Sequence, residues 1–218
     1  MNFLNIGYYI VEPMPTPEYL DLRCKQIITV TECICNVHPS LIGCYWLNQE
    51  KRQSEYKKLL GLSDETFTEL KETVMHLYEE HKLDVDSRFN ELPNALLFCK
   101  KYLSNQPNMR VISIALEDTY KDVFIEDAGE NLNVAILCEQ KNDGKLLGYD
   151  ILGWDWSSFH SYLCNGLNKD ISDKYPLEIN EFGLIQNPYS QVKEFAKCIN
   201  GMGEPVLWLP FAVYSHEV

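Results

Sequence analysis

The chain has 218 residues, a hydrophobic fraction of 45% and a charged fraction of 23%, which are ordinary globular values and exclude disorder as its resting state. Its formal charge of −13 and pI near 4.8 argue against nucleic acid or an anionic membrane as partner, because phosphate binding needs clustered Lys and Arg. No apolar run approaches the roughly 18 residues of a bilayer-spanning helix.

The opening "MNFLNIGYYIVEPMP" has no basic stretch leading into an apolar segment and a small-residue cleavage site, so it does not read as a signal peptide. The expected compartment is the cytoplasm. There the eight cysteines stay reduced, and most are expected as small buried hydrophobes.

Residues 3–12, "FLNIGYYIVE", are rich in aromatic and β-branched types and run into Pro13, Pro15 and Pro17, the pattern of a strand ended by residues that cannot donate to a ladder. "QIITVTECIC" (26–35) alternates with period two and predicts a second strand, and "CYWL" (44–47) a short third, together an N-terminal antiparallel meander. Ser63 predicts a helix N-cap, followed by Asp64 and Glu65 in the first turn and an apolar stripe of Phe67, Leu70, Val74, Leu77 and Tyr78. A shorter helix is expected over 92–104, with Pro93 in its first turn.

"MRVISIALE" (109–117) predicts a central strand, and "NVAILCEQ" (133–140) and "KLLGYDILGWD" (145–155) predict two more around the turn residues "KNDG". Gly148 and Gly153 fit places where a neighbour packs closely or the strand bends. Asp155 or Ser157 is expected to cap a helix running to about Asn168. Asn187 and Pro188 predict a helix start, with Val192, Phe195, Ala196 and Ile199 buried and Gly201 just past the end. "EPVLWLPFAVY" (204–214) reads as a last strand, kinked or at an edge because of Pro210. The sum is one α+β domain over 1–218: a mixed, mainly antiparallel sheet packed against about four helices, with 1–50 as a meander that can form a subdomain.

Three groups of residues carry candidate chemistry. Asp155, Ser157, Ser158, His160 and Cys164 crowd into ten positions, and on a helix His160 and Cys164 would meet at i and i+4. A thiolate gains from a helix N-terminus, whereas Cys164 would sit toward the other end, so it reads as a core residue and His160 as a half-buried polar group. An enzyme site around Asp155, Ser158 and His160 is the alternative.

The second group is Cys24, Cys33, Cys35, His38 and Cys44, whose side chains suit tetrahedral zinc but whose spacing, C-x-C-x2-H-x5-C, matches no recognised knuckle; no metal is expected. No glycine-rich phosphate loop is present, and no cofactor is expected. Trp46, Trp154, Trp156 and Trp208 read as core.

The third group is acidic. Segment 117–143 has eight acids and two bases, and segment 63–91 nine acids and three bases, while 92–116 has Lys100, Lys101, Arg110 and no acid. Solubility is the simplest account of this asymmetry, and a surface that steers a basic partner is the sharper one. The surface candidates are Glu117, Asp118, Asp122, Glu126, Asp127 and Glu130.

"LGYDILGWDWSSFHSYLCNGL", "NEFGLI" and "GEPVLWLPF", over about residues 145–213, resemble small acidic bacterial proteins of the immunity type from polymorphic toxin systems. That resemblance implies a non-enzymatic protein that binds and neutralises a partner toxin, and it carries no binding residue over to this chain. The third class of function, a structural or interaction subunit, homo-oligomeric in one form, would show an exposed apolar patch.

Overall fold

The computed structural model describes residues 2–31, 50–84, 86–106, 108–129, 144–155 and 158–217. The strands expected at 44–47 and 133–140, the turn before Gly144, the 32–35 end of the second strand, and Cys33, Cys35, His38, Cys44, Trp46, Glu130, Trp156 and Ser157 lie outside them.

The described strands are β1 (Phe3–Val11), β2 (Met14–Pro15), β3 (Gln26–Ile27), β4 (Arg110–Glu117), β5 (Lys145–Asp155), β6 (Ser158–Ser161) and β7 (Leu209–His216). The helices are α1 (Glu50–Leu60), α2 (Asp64–Glu79), α3 (Leu92–Tyr102), α4 (Lys121–Ala128), α5 (Asn168–Ser172) and α6 (Tyr189–Ile199). Five strands form one antiparallel sheet in the order β1-β4-β7-β5-β6, and β2 and β3 form a separate two-stranded ribbon. The fold is α+β. No helix among the described residues is long and apolar enough to cross a membrane.

Burial explains the strand order. β1 and β4 are apolar on both faces and buried almost throughout, so each needs cover above and below the sheet. Adjacent residues of β4 duly enter different cores. Val111 joins Tyr8, Ile10, Phe67, Leu70, Val74 and Phe98 under α2 and α3, whereas Ile112, Ile114 and Leu116 join Phe124, Trp154, Phe159 and Phe211. In α2 the Ser63 hydroxyl accepts from the Thr66 N–H at 3.1 Å, and the expected stripe is buried apart from half-exposed Tyr78.

The N-terminal meander takes another form in its described part. β1 pairs with β4, from Phe3↔Glu117 to Val11↔Arg110, and only Gln26 and Ile27 of the 26–31 segment enter a ladder, with β2. Residues 27–31 are all buried, and Ile28 donates its N–H to the Phe182 carbonyl at 3.0 Å, so this segment packs as cover for the sheet.

Two further expectations are corrected. Pro210 sits in an interior strand, not at an edge: β7 lies between β4 and β5. The β4 ladder ends at Leu116↔Phe211, one residue short of Pro210, so the missing N–H interrupts no bond on that side. Helix α6 starts at Tyr189, with Pro188 in the cap position. Asn187 instead accepts from the Glu178 N–H at 2.8 Å and donates to the Pro176 carbonyl at 2.8 Å, tying the preceding loop to the helix. The buried face of α6 is as expected, and Gly201 follows it with φ +81°.

Glycine is required at the two bulges of the sheet. The register slips between Asn5 and Gly7 in β1 and between Leu146 and Gly148 in β5. Gly7 (φ +152°) and Gly148 (φ +156°) stand where an added Cβ would lie 2.3 Å from Arg88 Cγ and 2.9 Å from the Ile185 carbonyl oxygen.

Candidate functional site

The acidic candidates do not form one surface. Glu117 ends β4, is only 6% exposed and lies 3.2 Å from Lys193 Nζ of α6, so it is an internal ion-pair partner and not a docking residue. Asp127 is exposed, but it accepts the Leu207 N–H at 3.2 Å and so fastens the end of α4 to the loop before β7. Asp118, Asp122 and Glu126 remain. They are exposed, fall four residues apart from the turn at 118–120 through α4, and have no cation within ion-pair distance among the described residues. Val123, 42% exposed, lies in the same stretch. The last turn of α4 contains no basic residue, so Glu126 faces the negative end of the helix dipole uncompensated.

Acids on α2 behave differently. Asp64 pairs with Lys57 across the turn from α1, and Glu69 pairs with Lys101 of α3 at 2.6 Å. Their charge is partly spent within the protein.

The His160 region is not a helix. Residues 158–161 form β6, which pairs with β5 from Asp155↔Ser158 to Leu152↔Ser161; a 3-10 turn over 162–165 follows. Phe159 and Ser161 are buried while Ser158 and His160 are half-buried, a period of two and not of 3.6. His160 therefore leaves the sheet on the side opposite Phe159, and its strand position removes the i, i+4 geometry expected with Cys164. Cys164 lies half-buried with its Sγ 3.3 Å from Thr31 Oγ1. Asp155 and Ser158 face each other across the end of the hairpin. Asp150 and Asp155, five residues apart on one strand, point to opposite faces and do not form a carboxylate pair.

Cys24 is the described member of the cysteine–histidine group; its Sγ lies 3.4 Å from Thr16 Oγ1. Among the described residues no three His, Cys, Asp or Glu side chains are grouped to hold a metal ion. Trp154 and Trp208 are buried.

Two buried polar clusters were not singled out in the sequence. In the first, the Tyr9 hydroxyl donates to Asp86 Oδ2 at 2.7 Å, Arg88 Nη2 donates to Asp84 Oδ2 at 2.7 Å, and Arg88 Nε lies 3.6 Å from Asp86 Oδ1. Arg88 is 1% exposed. Burial pushes the Asp86 carboxyl above its ordinary range against the opposing pull of Arg88. For Arg88, burial works against the charge, and Asp86, Tyr9 and Asp84 more than offset it. The signal was the acid–acid–base run "DVDSR" (84–88), which passes for a solvated loop.

In the second cluster, Asp150 sits in the middle of β5 and accepts from the Ser161 hydroxyl at 2.9 Å and the Ile151 N–H at 2.8 Å, with the Thr29 hydroxyl beside it. Its pKa is raised from 3.8 to about 7, because burial drives it up by more than those hydrogen bonds pull it down. Tyr162, also buried, has its hydroxyl pushed up by burial and by Asp150. A carboxylate inside an apolar strand was the legible sign.

Both clusters join segments of the chain, the second fully buried and the first reaching the surface only at Asp84, whereas Asp118, Asp122 and Glu126 stand exposed. Comparison of the chain with family models, curated proteins and solved structures gave no match.

Proposed function

We propose that this is a non-enzymatic binding protein of the immunity type, which docks a basic protein toxin on the acidic ridge formed by Asp118, Asp122 and Glu126. The observation that carries the reading is that none of the three carboxylates has a cation within ion-pair distance among the described residues. Asp122 gains from its place in the first turn of α4, whereas like charges at i and i+4 destabilise a helix by about 0.2–0.5 kcal/mol per pair and Glu126 adds an unfavourable dipole contact, so stability accounts for Asp122 but not for Glu126. Exposed Val123 supplies an apolar contact next to the charges. The net charge of −13 and the resemblance over residues 145–213 support the same reading. A field of one sign accelerates encounter with an oppositely charged partner and selects against acidic ones.

The test is binding of a basic toxin domain encoded beside this protein, measured by calorimetry at low and at high salt. A tight complex that weakens with salt is expected, together with at least a tenfold loss of affinity for the triple variant D118K/D122K/E126K, about 1.4 kcal/mol. A complex indifferent to salt and to the triple variant, or no complex and no protection on co-expression, defeats the proposal.

A further inference from the structure

Asp150 is 2% exposed in the middle of β5 and has no cation within ion-pair distance among the described residues. The two donors that reach it, the Ser161 hydroxyl and the Ile151 N–H, both meet Oδ1. Oδ2 is therefore the oxygen left to carry a proton. The third contact of the carboxyl is the hydroxyl of Thr29, which belongs to the buried segment covering the sheet. Phe211 of β7 stands opposite Asp150, and the turn after β6 brings the Tyr162 hydroxyl, with the Cys24 thiol beyond it. A phenol and a thiol are never cationic, and His160, next to Ser161 in β6, leaves the strand on the opposite face. Nothing around the site compensates an ionised carboxylate.

The three contacts are not held alike. Ser161 and Ile151 are fixed by the β5–β6 and β5–β7 ladders. Thr29 is in no strand of the five-stranded sheet. Its segment pairs with β2 through Gln26 and Ile27, bonds to the Phe182 carbonyl through Ile28, and brings Thr31 Oγ1 within 3.3 Å of Cys164 Sγ. A buried carboxylate without a partner cation needs water, and this segment is the cover that can lift while the sheet stays intact.

We infer that Asp150 is a proton latch on the 27–31 cover. Protonated on Oδ2, it donates to the Thr29 hydroxyl and keeps the segment seated on β5. Ionised, it loses that donation and draws in water, so Ile27, Ile28 and Val30 leave the core while β5, β6 and β7 keep their ladders. The device is independent of the acidic ridge. The carboxyl's pKa is raised from 3.8 to about 7 in the closed form, and an open site restores the ordinary value, so opening grows as pH rises from about 4 to about 7 and then levels off.

The experiment is hydrogen exchange of the full chain, read amide by amide by NMR between about pH 5 and about pH 8 and corrected for the intrinsic exchange rate. Protection of the Ile28 amide and its neighbours to Thr31 should fall about tenfold per pH unit up to about pH 7, and stay below that of the β4 and β5 amides throughout. In Asp150→Asn the pH dependence should vanish. Thr29→Val should lower protection of the same amides several-fold at about pH 5 and leave β4 unchanged. Protection independent of pH in the parent, the same pH dependence in Asp150→Asn, or unaltered protection in Thr29→Val overturns the inference. So does protection equal to that of the β4 and β5 amides, because the segment would then open only with the whole molecule.

Discussion

The Arg88 guanidinium lies 5.8 Å from the centre of the Trp154 ring, although the two residues belong to opposite ends of the sheet. Arg88 precedes Phe89, whose backbone bonds to Tyr8 on the outer edge of β1, and Trp154 lies on β5. In a flat sheet four strand spacings would put them about 19 Å apart. The sheet therefore curls until its ends approach, and the Tyr9–Asp86–Arg88 cluster closes the gap.

Removing the cation from that closure should be costly. Arg88→Met leaves Asp86 buried without its counter-charge, and breaking a buried pair in this way costs about 3–5 kcal/mol. The double variant Asp86→Leu with Arg88→Met should cost less than Arg88→Met alone. Urea denaturation of the three proteins gives the comparison; a single variant within about 1 kcal/mol of the parent would mean that the pair does not hold the curl.

Gly7→Ala should act on the same closure from below. An added methyl group meets Arg88 Cγ at 2.3 Å, and the backbone there has φ +152°. Strain of this kind costs about 1–3 kcal/mol. A crystal structure of the variant should show Arg88 displaced from Trp154, and unchanged stability would contradict the account.

Asp150 makes stability depend on pH. Its pKa is raised from 3.8 to about 7, so in the folded protein it holds a proton that the unfolded chain has lost. That contribution is complete below about pH 4 and is lost as pH rises through about 7, a difference of roughly 4 kcal/mol. Asp150→Asn removes the titration. Relative to the parent, the variant should gain stability between about pH 5 and about pH 8, read from urea midpoints at the two values. A pH-independent difference would show that the carboxylate is not the proton-binding group.

Glu126→Lys separates stability from binding. A cation in the last turn of α4 complements the dipole and relieves repulsion by Asp122, a gain of about 0.3–1 kcal/mol in stability. Affinity for the basic toxin should fall in the same variant. Thermal melts and calorimetry on one preparation check both directions, and loss of stability together with loss of binding would mean that Glu126 is structural.

What the sequence disclosed follows from the range of the interactions. Helices α2 and α6 and strand β4 announce themselves because a cap or a long apolar pattern is local, and Ser63, Val192 and Ile114 need no distant partner to be read. β6 escaped because Ser-Phe-His-Ser is too short to show its period, while Asp155 suits a helix cap and a hairpin end equally. The partners within the buried clusters were illegible for a different reason: Tyr9 and Asp86 are 77 positions apart, and nothing near either names the other. Glu117 was misplaced because a strand's terminal acid looks exposed until α6 brings Lys193 to it.

The position of β7 has a bearing on synthesis. It is the last strand described, yet it stands at the centre of the sheet, and β4 and β5 have no ladder to each other except through it. A nascent chain that has not yet delivered residues 209–216 thus carries two half-sheets with open edges, exposed to proteases and to one another. Acquisition of the native sheet must wait until that strand has left the ribosome.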